Sequence, residues 1–152
     1  MPKTIISDTS CLIILTNIGE LDLLRRTYGS IVTTVEIAIE FGEPLPEWVT
    51  IENVSDKQKQ QLLEMQIDKG ESSAIALALE TPDCTVILDD YRARKIAEQL
   101  GVNYTGTIGV IIRAKINGVI PSVKPILSKI KETEFRLSAE IERQALLAAG
   151  EL

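Results

Sequence analysis

The sequence contains no histidine among its 152 residues. That absence excludes Ser-His-Asp and Cys-His machinery, histidine general bases and the usual zinc sites with histidine ligands. Cysteine is almost as scarce. Cys11 and Cys84 stand in apolar surroundings without metal-ligand spacing, so a reduced, cytoplasmic protein is expected. With one Trp, three Tyr and two Phe, base stacking is a poor candidate for a dominant binding force, and Tyr91 and Tyr104 are expected to pack in the core or at its rim. No apolar run approaches the ~18 residues of a membrane span, and the first residues lack signal-peptide architecture. The first strand-to-helix turn, DTSCLI, has no glycine, which argues against a dinucleotide-binding fold. Chemistry is left to carboxylates, hydroxyls, lysines or a cofactor.

What is present suits one globular domain over residues 1–152. Hydrophobic residues make up 45% and charged residues 25%, and a chain of this size can bury about two-thirds of its unfolded surface. The net charge of −6 is unevenly spread. Residues 91–131 hold eight basic side chains (Arg92, Arg94, Lys95, Arg113, Lys115, Lys124, Lys129, Lys131) against one acid, Glu98. Such a stretch either faces a polyanion or is scattered over several solvated helix faces.

Strand-like and helix-like periods alternate along the chain. Thr4 to Ser7 reads as a short strand ended by Asp8, after which Thr9 or Ser10 can cap a helix to Asn17. A helix from Glu20 to Tyr28, a strand at Ile31 and Val32, a helix from Thr34 to Phe41 and a strand from Val49 to Val54 follow. Ser55 and Gln58 have the form of a capping box opening a helix towards Asp68. Gly70 is expected to separate that helix from the next, Glu71 to Glu80. Strand Cys84–Leu88, helix Tyr91–Leu100, strand Val102–Tyr104 and a helix from Thr107 to Asn117 come next. Two more helices, Ser122–Lys131 and Ser138–Ala149, complete the chain, the last with Leu137, Ile141, Ala145 and Ala148 as a stripe expected to pack on the protein's own core. Short strands separated by helices predict a three-layer α/β/α sandwich with a mainly parallel, about five-stranded sheet.

Acids recur at the ends of these elements. Asp8 follows the first strand, Asp89 and Asp90 follow strand Cys84–Leu88, Glu40 lies on the helix after the second strand, and Glu71 opens another helix. Singly, each reads equally as a helix cap, a dipole-favoured acid or a surface charge. Together they fall where open parallel sheets bind ligands, beyond the carboxyl ends of strands. A haloacid-dehalogenase-like phosphatase would need a second Asp where Ser10 stands. A response-regulator receiver would need its acidic pair early, whereas Asp89 and Asp90 come late.

The segments IISDTSCLIIL, IAIEFG, DKGESSAIALALE, VILDDYRARKIAEQLG and GTIGVIIRAKINGVI together resemble the PIN-domain nucleases, among them VapC-type toxin ribonucleases and a prokaryotic PIN subgroup. The resemblance implies a Mg²⁺- or Mn²⁺-dependent endoribonuclease with Asp8, Glu40, Glu71 and Asp90 as catalytic carboxylates. It implies Asp89 as a further metal ligand or support, and Thr9, Ser10 or Thr107 as hydroxyls that orient water or phosphate. Glu71 stands where the family more often has Asp, and Leu88 where it usually has Thr. Crowded carboxylates repel one another, and a hard divalent cation relieves that repulsion. Arg92, Arg94, Lys95, Arg113 and Lys115 are the expected phosphate contacts. RNA is the expected substrate, with DNA as the other nucleic acid. A homodimer, and an antitoxin if the protein is a toxin, are the expected partners, with no membrane. The competing reading is a non-catalytic PIN-like module that binds nucleic acid or protein.

Overall fold

A computed structural model describes residues 2–152. Its elements run β1 (Thr4–Ser7), α1 (Thr9–Asn17), α2 (Asp22–Tyr28), β2 (Ile31–Thr34), α3 (Val35–Phe41), β3 (Val49–Glu52), α4 (Lys57–Leu63), α5 (Lys69–Leu79), β4 (Cys84–Ile87), α6 (Tyr91–Gln99), β5 (Tyr104–Thr105), α7 (Thr107–Ile116), α8 (Lys124–Lys131) and α9 (Ala139–Ala148). The five strands form one sheet in the order β3-β2-β1-β4-β5, and every pairing is parallel. Helices cover it in an α/β/α arrangement, as the alternation of elements predicts. Among the described residues, no helix is long and apolar enough to cross a membrane.

The sheet order places the topological switch between β1 and β4, where ligands gather in open α/β sheets. In this pair Ser7 lies opposite Ile87, so the chain leaves both strands at the same level and delivers Asp8 and Asp89 side by side. Strands β1 and β4 are covered on both faces; Ile6, Val86 and Ile87 are fully buried, as expected of central parallel strands. Helix α5 is buried from Ser72 to Ala78. Its run of Ser and Ala lets it lie close among α3, α4, β1, β2 and β4. A second apolar cluster joins Ile14 and Leu23 to Ile111, Ile126, Ile130 and Ala145, packing the carboxyl-terminal helices onto α1, α2 and α7.

Several helix starts differ from the sequence reading, and the reason is consistent: a carboxylate outcompetes a hydroxyl for the free N–H groups of a first turn. Asp8, not Thr9 or Ser10, caps α1 by accepting from the Cys11 N–H. Asp56, not Ser55, caps α4 through the Lys59 N–H. Asp68 caps α5, so Gly70 lies inside that helix rather than before it. At α7 the cap position is Gly106, and the carboxylate that takes the Thr107 N–H comes from Asp89, 18 residues earlier. The α9 stripe is also rotated. Ala145 and Ala149 are buried while Ile141 is 48% exposed and Ala148 is exposed, because the helix meets its neighbours at a single four-residue spacing.

Candidate active site

Three helix N-termini and one helix C-terminus converge on a cavity of about 280 Å³ lined by Asp8, Thr9, Ser10, Ile13, Glu40, Asp68, Glu71 and Asp90. Each acid arrives by a different route. Asp8 caps α1, Asp68 caps α5 and Asp90 caps α6, while Glu71 sits in the first turn of α5 and Glu40 in the last turn of α3. Capping and site-lining are therefore one placement. A cap carboxylate accepts one N–H bond and keeps lone pairs free for a ligand.

Asp8 is the most buried of these acids, 3% exposed. One oxygen accepts from the Cys11 N–H at 2.9 Å and the other from the Asp89 N–H at 3.0 Å. Burial, and then the neighbouring Asp89 charge, push its carboxyl up to about 7. Glu71 is pushed up to about 8, by burial first, then by its hydrogen bond to Asp68 and the charges of Asp68, Asp90 and Asp8. Neither acid ionises cheaply without a cation.

Glu40 reaches in from α3 and accepts a hydrogen bond from the Thr9 hydroxyl. Its approach depends on Gly70: a Cβ there would stand 2.9 Å from Glu40 Oε1 and 3.5 Å from Thr9 Oγ1. Asp89 turns away from the cavity. It accepts from the Thr107 N–H at 2.9 Å and from the Thr107 hydroxyl at 2.5 Å, and lies 3.9 Å from the Arg94 guanidinium. Asp89 and Thr107 thus tie α7 to the end of β4, and the Asp89 N–H steadies Asp8.

The structure brings Asp8, Glu40, Glu71, Asp90, Thr9 and Ser10 into one cavity and leaves Asp89 and Thr107 behind its wall. Asp68 is the residue that sequence reasoning missed. Its signal was present: Asp68-Lys-Gly-Glu71 has capping-box spacing, and the Glu71 N–H donates to Asp68 Oδ1 at 2.8 Å.

The basic residues divide. Arg94 donates to the Leu88 carbonyl at 2.6 Å and lies over the Tyr104 ring, and Lys115 donates to the Ala149 carbonyl at 2.6 Å and pairs with Glu151. Lys129 and Lys131 pair with Glu20 and Glu142. Half of the basic stretch is thus spent on internal contacts, the scattered outcome. Arg92 and Lys95 stay exposed on α6, just beyond Asp90. Tyr91, expected to be packed, is 70% exposed at this rim with Lys95 over its ring. Arg113 faces a different cavity.

A sequence-family model for the PIN domain matches residues 4–151. The chain belongs to the PIN-domain family. That family is one of metal-dependent nucleases acting on nucleic acids, which agrees with a cavity walled by hard oxygen donors. No curated protein and no solved structure gave a significant match. The donor set of this PIN domain fits Mg²⁺ or Mn²⁺ in kind: carboxylates and hydroxyls line the cavity, and among the described residues no lysine or arginine does. Among the described residues, no three of the acids converge on a single point for an ion. Their present partners explain it, since Glu40 is drawn to Thr9, and Asp68 and Asp90 to helix N–H groups.

Proposed function

We propose that this PIN-domain protein is an Mg²⁺- or Mn²⁺-dependent endoribonuclease, with Asp8, Glu40, Glu71 and Asp90 holding the cation. The observation that carries this reading is the meeting of five acids from four separate segments in one cavity at the sheet's switch point, two of them pushed up to about 7 and about 8. A stable fold gains nothing from such crowding; a cation-binding site requires it. When bound, a divalent cation polarises a phosphoryl oxygen and acidifies water.

The chain's own groups do the rest. Asp8 and Glu71 release their protons as positive charge arrives. The Thr9 hydroxyl holds Glu40, and the Asp89 N–H holds Asp8 in register. The exposed Ser10 hydroxyl meets a phosphate at the cavity mouth, while Arg92 and Lys95 draw the strand towards the acidic rim. Thr107 serves through Asp89 rather than by touching substrate.

The reading extends to a cytoplasmic toxin whose antitoxin covers the rim. Ile13 and Ile39, 40% and 74% exposed, flank the acids and offer apolar surface to such a partner. Leu62 and Met65 on and beside α4 are the exposed apolar surface for a homodimer.

The test is cleavage of varied RNAs and matched DNAs with Mn²⁺, Mg²⁺ or EDTA, alongside Asp8→Asn. Expected are metal-dependent RNA cuts at internal positions and a loss of at least about 100-fold in the variant. Absence of cleavage with either metal would favour the binding-module reading.

A further inference from the structure

On the opposite side of β4 from the acidic cavity's wall of α5 lies a second cavity, of about 390 Å³, that shares none of its residues. It opens between the sheet and the end of α2 and the first turns of α7. Its polar lining side chains are those of Arg113, Tyr28, Thr85 and Thr105; Tyr104, opposite Val86 in the strand pair, turns its side chain to the other face of the sheet, where Arg94 of α6 lies over the ring. Among the described residues no carboxylate lines the cavity, in a chain that carries 22 acids against 16 bases. Among the described residues none of these four side chains has a hydrogen-bond or ion-pair partner within the protein, although their neighbours Arg94 and Lys115 both do.

We propose that this cavity binds a phosphate monoester bearing a planar ring, of which a nucleoside monophosphate is the simplest example. A guanidinium with converging hydroxyl donors is the chemistry that recognises a phosphate. The half-buried Tyr28 brings an aromatic ring to the cavity's edge. The volume lies at the small end of ligand sites, the range of one nucleotide rather than an oligomer.

Local sequence maintains the opening. Gly109, on the α7 wall, stands where any Cβ would come 2.1 Å from Thr105 Oγ1. Glycine therefore lets the helix approach β5 while leaving the Thr105 hydroxyl in the cavity. Burial holds the Tyr28 phenol up at about 12, so it remains a donor at neutral pH.

The experiment uses the full chain in EDTA, where the acidic cavity has no cation to attract a phosphate. Amide NMR shifts are followed during titration with UMP, ribose 5-phosphate or inorganic phosphate. UMP is expected to shift Thr85, Thr105 and Gly109 saturably, more tightly than either probe without a planar base, and Arg113→Gln to weaken it by at least about tenfold. Asp8→Asn should leave this binding intact even as it abolishes cleavage. No saturable shift by roughly 10 mM UMP, or equal binding by Arg113→Gln, would overturn the site. UMP binding no better than ribose 5-phosphate would overturn the assignment to an ester bearing a planar ring.

Discussion

At the scale of single residues, the same carboxylates satisfy helix N-termini and furnish the acidic cavity, so stability and chemistry pull on them in different directions. Asp8 gains two backbone N–H bonds but loses water and faces Asp89. Glu71 has the weaker structural claim, since its carboxylate meets Asp68, Asp90 and Asp8 with no cation to offset them. Glu71→Gln should therefore raise thermal stability in EDTA at pH 8, by about 1 kcal/mol once solvent screening of its half-exposed carboxylate is allowed for. The same change should weaken Mn²⁺ binding and cleavage. Melting curves with and without Mn²⁺ check it, and a variant less stable than the parent in EDTA would contradict the repulsion. Four of the five cavity acids were legible as residues because their types and positions repeat around strand ends. The exchange of Asp89 for Asp68 was not. Neighbouring acids on one turn point to opposite sides of the chain, and only the partner decides which; for Asp89 that partner is Thr107, 18 positions away.

At the scale of elements, the order and type of every strand and helix were readable, because hydrophobic period and glycine stops are local properties. Gly101, at φ +73, ends α6 as its position suggests, with the Val102 N–H closing on the Ala97 carbonyl. The helix starts were less legible, since caps compete and carboxylates won four contests in which the sequence pointed to hydroxyls or glycine. The facing of α9 was not legible at all, because it depends on where α7 and α8 lie. Gly70 shows how an element boundary bears on function. Glycine costs a helix interior up to about 1 kcal/mol relative to alanine, yet α5 keeps it where α3 and α1 approach. Gly70→Ala should leave stability within about 1 kcal/mol of the parent, because the helical gain offsets moving the flexible end of Glu40. Cleavage should fall by about tenfold or more as Glu40 leaves Thr9; unchanged cleavage would show that Glu40 is not needed where it stands. Helix α6 makes a separate prediction. With Arg94 committed inward, Arg92 and Lys95 are the cations that α6 presents beside the acids, and together they should contribute only about −1 to −2 to the salt slope of RNA binding. Reversing both charges should flatten that slope, and reversing Arg113 should not, as read by binding titrations from low to moderate salt.

At the scale of the whole molecule, the balance of titrating groups sets how stability responds to pH. Glu151 is held down at about 2, by the Ser122 hydroxyl first and then the Val123 N–H and Lys115. Its contribution is complete above the unfolded carboxylate range and is lost only as pH falls towards 2. Asp8 and Glu71 act with the opposite sign. Their folded values, about 7 and about 8, lie above the ordinary values of 3.8 and 4.5, so between those limits the native chain holds protons that the unfolded chain has released. Stability from these two groups is therefore full below about pH 4 and declines as pH rises through 7 and 8. The metal-free protein should be most stable near pH 4 to 5 and lose a few kcal/mol by pH 8. Cation binding reverses the trend, because the ligands must be deprotonated and a ligand that binds only the native state adds stability in proportion to its affinity. The gap between melting temperatures in Mn²⁺ and in EDTA should accordingly widen from pH 5 to pH 8. In Asp8→Asn, both the metal-free decline and the widening should shrink. A metal-free stability that stayed level across this range would mean that the acids reach solvent freely, and the cavity would lose its claim to be held together by a cation.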